Sequence, residues 1–393
     1  GAKVLPKAKK MNKTLIICSI MLLLWSCRAE IPQNQNFSEN VSTEYAVNYR
    51  LDSIPGYLIL HVEQFFDEKS TTYGWILKDK RNPACPECKI PINFQKYPLI
   101  EYPVYSIAAL SSTHLGILSE LDLLSRVVAV SQAHLIHAPS IRQAIKSQSV
   151  AEVGFGPSLQ IEQLLRLQPD VVLTFAVGDS RFDDYGILLD NDIPTLIVAD
   201  WQEVHPLGRL EWIRLLGILT GTENRADSVF KLRTYKYLEL CSLATQVKKH
   251  PKVITGTSEG ENWRLTGGNT FFARLLQDAQ ADYLFAHSTS RNSFKINFEE
   301  LFIKAHQVDY WINPSPWNTR SETLKNESRL SLFSFWEKNH ILIPNKRRAK
   351  NGGNEFWELG MVRPDLLLSD LLHFLHPELG LSDSSVFYQF MED

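Results

Sequence analysis

Cys85-Pro86-Glu87-Cys88 is a C-x-x-C pair, and thiols at that spacing can close a small-loop disulfide, cycle as a redox couple or supply half of a metal site. Lys80-Arg81-Asn82-Pro83 precedes the pair and Pro91 follows it. That is a loop context, whereas a redox pair opens a helix after a strand, so the local disulfide Cys85–Cys88 is expected. No second C-x-x-C completes a zinc cage. His114, His134 and His137 are the next candidates: an imidazole can ligate a metal, or stay neutral and donate hydrogen bonds, and three with a carboxylate could cage a bare ion. Four of the nine tryptophans, Trp201, Trp263, Trp317 and Trp357, fall between elements with Phe155, Phe175 and Phe356. Such rings stack on large, flat or apolar ligands. They favour a chelate over a bare ion. Arg181, Arg264, Arg320 and Arg363 could pair with carboxylates, solvation being the default for each. The signatures of common enzymes are missing: no G-x-S-x-G, no H-E-x-x-H and no P-loop occurs. Gly267-Gly268 precedes a helix but lacks the third glycine and following acid of a dinucleotide fingerprint.

The elements that would position these side chains change character along the chain. Residues 44–96 form a small β extension, with strands over Tyr45–Tyr49 and Tyr57–Val62. From about 97 short apolar strands alternate with helices: strands at Val104–Leu110, Val127–Val130, Val171–Phe175 and Thr195–Val198, helices at His114–Leu124, Ile161–Leu167, Asp184–Asn191 and Leu207–Leu219. This is the texture of a parallel, two-sided α/β sheet. Gly221-Thr222 breaks it, and Asn224–Lys248 reads as one long amphipathic helix with Val229, Leu232, Tyr235, Leu238, Leu240 and Leu243 at helical spacing. After Pro251 the α/β texture resumes, with strands at Val253–Thr257, Tyr310–Asn313 and Ile341–Pro344 and a last helix at Pro364–Leu375. The halves echo each other: Ile161-Glu162-Gln163-Leu164-Leu165 leads to Pro169-Asp170-Val171-Val172, and Phe298-Glu299-Glu300-Leu301-Phe302 leads to Val308-Asp309-Tyr310-Trp311. The expected architecture is α/β, with two similar parallel-sheet lobes (97–222 and 251–393) joined by one long helix (223–250) and a ligand cleft between them.

The chain has 393 residues, 44% apolar and 22% charged, which excludes wholesale disorder, collagen and long coiled coil. Lys3, Lys7, Lys9, Lys10 and Lys13 fall in the first 26 residues with no acid among them. Without that segment the net charge of −3 becomes −8 (36 basic against 44 acidic), so a nucleic-acid partner is not expected. Met11–Trp25 reads as a signal peptide, its apolar run Leu15–Leu24 too short to span a bilayer; residues 1–10 precede it. Leu24-Trp25-Ser26-Cys27 is similar to a bacterial lipoprotein box, with Trp25 a departure from the usual small residue. Cys27 would carry the lipid, and the polar stretch 27–43 would be its tether.

Over about 100–380 the chain resembles the substrate-binding proteins of ABC importers, in the class with single-helix-linked lobes that serves iron–siderophores, haem and cobalamin. The carriers are Val127-Val128-Ala129-Val130-Ser131, then Glu152-Val153-Gly154 with Glu162 and Leu167-Gln168-Pro169-Asp170-Val171-Val172-Leu173, the central helix, and Gly267-Gly268-Asn269-Thr270-Phe271 with the Glu299 segment. The resemblance implies a periplasmic, lipid-anchored monomer. It would have no cofactor of its own, no catalytic residue and no resident metal, and it would deliver a metal chelate to the membrane subunits of an importer. Iron–siderophore or haem ranks above a corrinoid. The alternative from another class is a thiol–disulfide lipoprotein using Cys85 and Cys88. Ligands of parallel sheets bind beyond the carboxyl ends of the strands, which makes Ser112, Thr113, His114, His134, His137, Phe155, Phe175, Trp201, Trp263, Trp317, Trp357 and Arg363 the candidate ligand residues. In the family, the 131–139 loop touches ligand, where a histidine could ligate haem iron. The family also implies that Glu162 and Glu299, or Glu300 if the register slips by one, pair with arginines of the importer.

Overall fold

Runs such as Val171-Val172-Leu173-Thr174, buried on both faces, can be satisfied only inside a sheet covered by helices on each side. In the N-lobe five parallel strands lie in the order Thr195–Ile197, Val171–Thr174, Ile107–Ala109, Val127–Val130, Ala151–Glu152. In the C-lobe the order is Asp282–Tyr283, Lys252–Thr255, Tyr310–Ile312, Ile341–Ile343, closed by Gln389–Phe390 running antiparallel. The structure is a computed structural model and describes residues 39–66, 69–82, 88–179, 181–314, 316–381 and 384–393. The leader, Cys27 and Cys85 lie outside these residues, and with them the lipid and disulfide expectations.

One helix, Glu223–Ala244, runs between the lobes. Its 22 residues span roughly 33 Å at 1.5 Å per residue. It starts after Gly221, whose left-handed φ of 68° ends the preceding helix Pro206–Thr220, and it stops short of the expected Lys248. Its buried face also differs from expectation. Ala226, Phe230, Tyr237 and Ala244 point inward, the last three at a seven-residue spacing, while Leu232, Tyr235 and Leu238 face solvent. On this face the helix packs against Pro206–Thr220 and the C-terminal helix Pro364–Leu375. One continuous apolar core takes in Leu51, Leu60 and Trp75 of the extension, Leu196 and Trp212 of the N-lobe and Leu367 and Leu371 of the C-lobe.

The β extension is larger than expected. Its strands Glu39–Val41, Tyr49–Ile54, Tyr57–Phe66, Lys69–Asp79 and Leu99–Tyr102 form a single sheet, antiparallel except for the last pair. The polar tether therefore yields to sheet at Glu39, before 43. A second small sheet, Thr257–Glu259, Asn262–Leu265 and Phe294–Asn297, was not anticipated at all.

Of Tyr45–Tyr49, expected as a strand, only Tyr49 joins one, and residues 44–48 are instead strung across two buried carboxylates. Glu211 accepts from the backbone N–H groups of Glu44, Tyr45 and Ala46 at 2.8, 2.7 and 2.8 Å. Glu203 accepts from Val47, Asn48 and the Trp212 indole N–H, and burial pushes its carboxyl pKa up against these bonds. Five consecutive amides thus find acceptors in side chains rather than in a ladder. Replacing Glu211 by alanine strands three donors, each worth about 1–3 kcal/mol when left unmade. Urea unfolding of Glu211→Ala should show a loss of about 3 kcal/mol or more, with earlier proteolysis before Tyr49; a midpoint equal to the parent's would contradict this anchoring.

Candidate functional site

Both sheets present their carboxyl ends to the same region, so the loops that follow the strands make its walls. On the N-lobe side a hollow of about 70 Å³ is lined by Ala109 and Leu110 after one strand, Ser131 and Gln132 after the next, Phe175 after a third, and Ser111 and Ser112 at the start of the helix Ser112–Glu120. On the C-lobe side lies a cavity of about 770 Å³. Its wall is built by Gly256 and Thr257 after the strand Lys252–Thr255, by Asn313, Pro314, Trp317 and Asn318 after Tyr310–Ile312, and by Pro344, Asn345, Arg348, Asn354 and Trp357 after Ile341–Ile343. Leu135, from the N-lobe, lines both spaces. The size suits a ligand well beyond an amino acid or a bare ion.

The aromatic wall differs in detail from expectation. Trp357 is 48% exposed and Trp317 lines the cavity, edge-on to Trp311. Phe272, which the sequence did not single out, joins them and stacks on the buried Phe356 at 6.0 Å. Trp263 does not line the cleft. It is 0% exposed, its indole N–H donates to the Thr255 carbonyl at 2.9 Å, and it fills the C-lobe core. Trp201 is half-buried, outside both walls, with no hydrogen-bond partner for its indole nitrogen among the described residues. On the N-lobe, Phe155 and Phe175 stack at 5.0 Å and 11°, and Phe182 continues the stack.

His114 is also corrected. It is 0% exposed behind the hollow, and burial lowers its pKa to about 4 despite Asp200 and the Leu173 carbonyl, so it is a neutral core residue and not a ligand contact. Thr113 serves the helix start, its N–H donating to Ser111 Oγ. His134 is exposed on the turn Ala133–Leu135. His137 is half-buried with Nδ1 3.9 Å from Glu355, and its pKa is lowered by burial. Among the described residues no group of three His, Cys, Asp or Glu side chains gathers as a metal cage.

Cations sort by whether their charge is spent. Arg363 is not a ligand residue: it is bound to Asp365 at 2.9 Å and Glu120 at 3.6 Å, deep between helices. Arg181 is held by Asp179, Arg320 by Asp393 and Arg264 by Glu259; Arg264 and Lys295 lower the Glu259 pKa to about 2. Arg348 is different. It lines the cavity, its Nη1 donates to Asn318 Oδ1 at 2.6 Å, and no carboxylate among the described residues lies within salt-bridge distance. Asn345 donates to the same Asn318 oxygen at 2.7 Å, and Asn354 donates to Asn345. Asn318 follows Trp317 and Asn354 comes three residues before Trp357, the two tryptophans that the sequence placed between elements. Arg348 and Asn345 lay in the gap just past Pro344, where the strand-end rule would have found them.

At one end the walls touch directly. Glu358 of the C-lobe accepts from the backbone N–H of His137 and from that of Ala138 at 3.0 Å, and Gly353 lies so close to the Ile136 carbonyl that a Cβ would sit 2.2 Å from it. Outside the cleft, Glu162 and Glu299 are both exposed near helix starts and neither forms a salt bridge with a described residue, whereas Glu300 pairs with Lys304 at 2.6 Å.

Two facing α/β lobes on one helix, with a cavity at the carboxyl ends of their strands, define a two-lobed ligand-binding protein. The chain belongs to the periplasmic binding protein family, whose model matches residues 107–346. Its architecture is that of the class with single-helix-linked lobes. An uncharacterized lipoprotein of Methanocaldococcus jannaschii is 21% identical over 321 residues, 79% of this chain and 74% of that protein. A periplasmic binding protein from Veillonella parvula shares the fold with a TM-score of 0.56, 12% identity, and coverage of 81% of this chain and 98% of that one. A periplasmic heme-binding protein from Pseudomonas aeruginosa does so with a TM-score of 0.51, 18% identity, and coverage of 70% and 93%.

Burial raises the Glu358 pKa to about 7, with Glu355 adding to the rise and Arg142 and the two N–H bonds opposing it. In an unfolded chain it titrates near ~4.3. The folded state therefore favours the protonated form: the contribution is complete below about pH 4 and is lost as pH rises through about 7. Each tenfold difference in proton affinity between the two states corresponds to ~1.36 kcal/mol. Between pH 5 and 8 the chain should thus lose about 2–3 kcal/mol that Glu358→Gln retains. Urea unfolding of both proteins at the two pH values checks this, and an unchanged gap would contradict it.

Proposed function

We propose that this protein is a lipid-anchored receptor outside the cytoplasm that captures a metal chelate, a ferric siderophore or haem, and hands it to an ABC importer. It binds and releases; it performs no chemistry. The observation that carries this reading is the C-lobe cavity, which is lined by Trp317, Trp357 and Phe272 together with an arginine that has unspent donors. Flat or greasy ligand surface stacks on the rings, while a guanidinium with five N–H donors, one of them given to Asn318, can still take a carboxylate or another anionic group. The heme-binding neighbour of the same fold supports the ligand class. So does the stacked Phe155–Phe175 pair on the opposite wall. Ser112, His134 and His137 sit around the N-lobe side of the cleft, where they can donate hydrogen bonds. A corrinoid would use the same rings and the same arginine.

Glu162 and Glu299 are the docking pair. Neither carboxylate is within salt-bridge distance of a cation among the described residues, which supports pairing with an arginine of the importer, and the Lys304 pairing makes Glu300 the weaker candidate. Pairs of this kind govern orientation and encounter rate more than affinity.

The deciding experiment is a titration of purified protein with hemin, ferric siderophores and cobalamin, followed by tryptophan fluorescence. One of these chelates should quench in the micromolar range or tighter. Strong quenching by an amino acid or sugar, with none by the chelates, would overturn the ligand class. Trp357→Ala should weaken the chelate about three- to tenfold through lost stacking, and Arg348→Gln about tenfold or more if the ligand bears a carboxylate. Glu162→Lys with Glu299→Lys should abolish transport in vesicles reconstituted with the importer while leaving chelate affinity within about twofold. Surviving transport would remove these residues from docking.

A further inference from the structure

The strand orders of the two sheets give the cleft two distinct ends. Next to the strands Val127–Val130 and Ile341–Ile343, the lobes meet directly through Glu358 and residues 132–138. At the opposite end lie the edge strands Thr195–Ile197 and Asp282–Tyr283, with the loops that follow them, Asp200–Gln202 and 286–293. The residues Gln64, Phe65 and Phe66, which end the strand Tyr57–Phe66 paired with Lys69–Asp79 ahead of the region matched by the family, reach these two loops.

Residues 64–66 touch both lobes. On the N-lobe, the Phe65 N–H donates to Gln202 Oε1 at 2.9 Å and Gln202 Nε2 donates back to the Phe65 carbonyl at 3.0 Å. Gln64 Nε2 reaches the Ala176 carbonyl at 3.5 Å, and the Phe66 ring lies against Gly178 so closely that a Cβ there would sit 2.6 Å from it. Gly178 has φ 78°, so no other residue would sit easily at that contact. On the C-lobe, the Arg291 guanidinium stands 4.2 Å over the centre of the Phe65 ring, a cation–π distance. Arg291 has no carboxylate within salt-bridge distance among the described residues. Its loop carries Ser290 and Asn292, whose carbonyls pack on Gly267, and runs into Ser293 of the cavity wall.

We propose that residues 64–66 at the end of this strand form a third wall of the binding site: Phe65, held by Gln202 and clasped by Arg291, closes the edge-strand end of the cleft, steadies the loop 286–293, and limits the length and the passage of the ligand. The part concerning ligand rests on the function proposed above; the clasp itself does not.

Two variants separate these. Phe65→Ala removes the ring but leaves the backbone bonds to Gln202, and Arg291→Gln removes the cation from an exposed position where folding does not depend on it. In the ligand-free protein, hydrogen exchange of the amides in 286–293 should quicken about tenfold in both variants while the core strand Val171–Thr174 is unchanged. Unchanged exchange in 286–293 overturns the clasp, whatever the ligand. With hemin as the probe, stopped-flow tryptophan quenching should show association and dissociation both about fivefold or more faster, with Kd moving less than either rate. Faster exchange without faster hemin kinetics overturns the wall. If the unmodified protein does not bind hemin, the haem reading fails and the exchange result still decides the clasp.

Discussion

The site depends first on how the lobes face each other, and half-buried charge ties them together where three helices meet. Glu120, at the end of the first N-lobe helix, takes Arg233 of the linking helix at 3.0 Å and Arg363 at the start of the C-terminal helix at 3.6 Å. Arg363 is held in turn by Asp365. Apolar packing between helices tolerates sliding, but a planar guanidinium between two carboxylates does not, because its donors have fixed directions. Desolvating these groups costs much of what their attraction returns, so the gain lies in geometry more than in stability. A second buried pair, Asp200 with Arg209 at 2.9 Å, places the Arg209 guanidinium over Phe271 of the opposite lobe and does the same at another point.

With the lobes so held, binding differs from closure around a hinge. A single helix can bend only where its ends absorb rotation, and here both ends are embedded in a core shared by extension, N-lobe and C-lobe. Loops carried on such a frame would need little ordering on binding, which would spare part of the cost that association otherwise carries.

The architecture was largely legible because buried parallel strands leave unbroken apolar runs. Val127–Val130, Ile161–Leu167 and Pro364–Leu375 have the bounds that their patterns set. The side chains of the site were less so. Trp263 and Trp317 look alike in sequence, each a tryptophan near a strand end. One strand of the small second sheet turns the first inward, and that sheet has no apolar run long enough to announce itself. His114 follows a strand as a ligand residue would, but it is the third residue of a helix, and helical rotation carries it into the core beside Leu173. Arg363 carries the charge expected of a ligand contact; its neighbour Asp365 was visible in the sequence, but Glu120, 243 residues earlier, was not.

The extension shows how a feature outside the common architecture becomes part of it. Its hydrophobic face alone would fasten a sheet to the N-lobe, since Leu51, Leu60, Val62 and Trp75 are wholly covered there. That leaves the sheet free to settle in more than one register. The amides of residues 44–48 remove this freedom, because Glu203, just before the helix Pro206–Thr220, and Glu211 within it accept five of them in sequence. Trp75 adds a directional bond, its indole N–H donating to the Thr195 carbonyl at 2.7 Å, at the start of the same edge strand whose following loop holds Phe65. Anchors at the two ends of one sheet therefore direct its longest hairpin, and Phe65 meets Gln202 and Arg291 as a consequence.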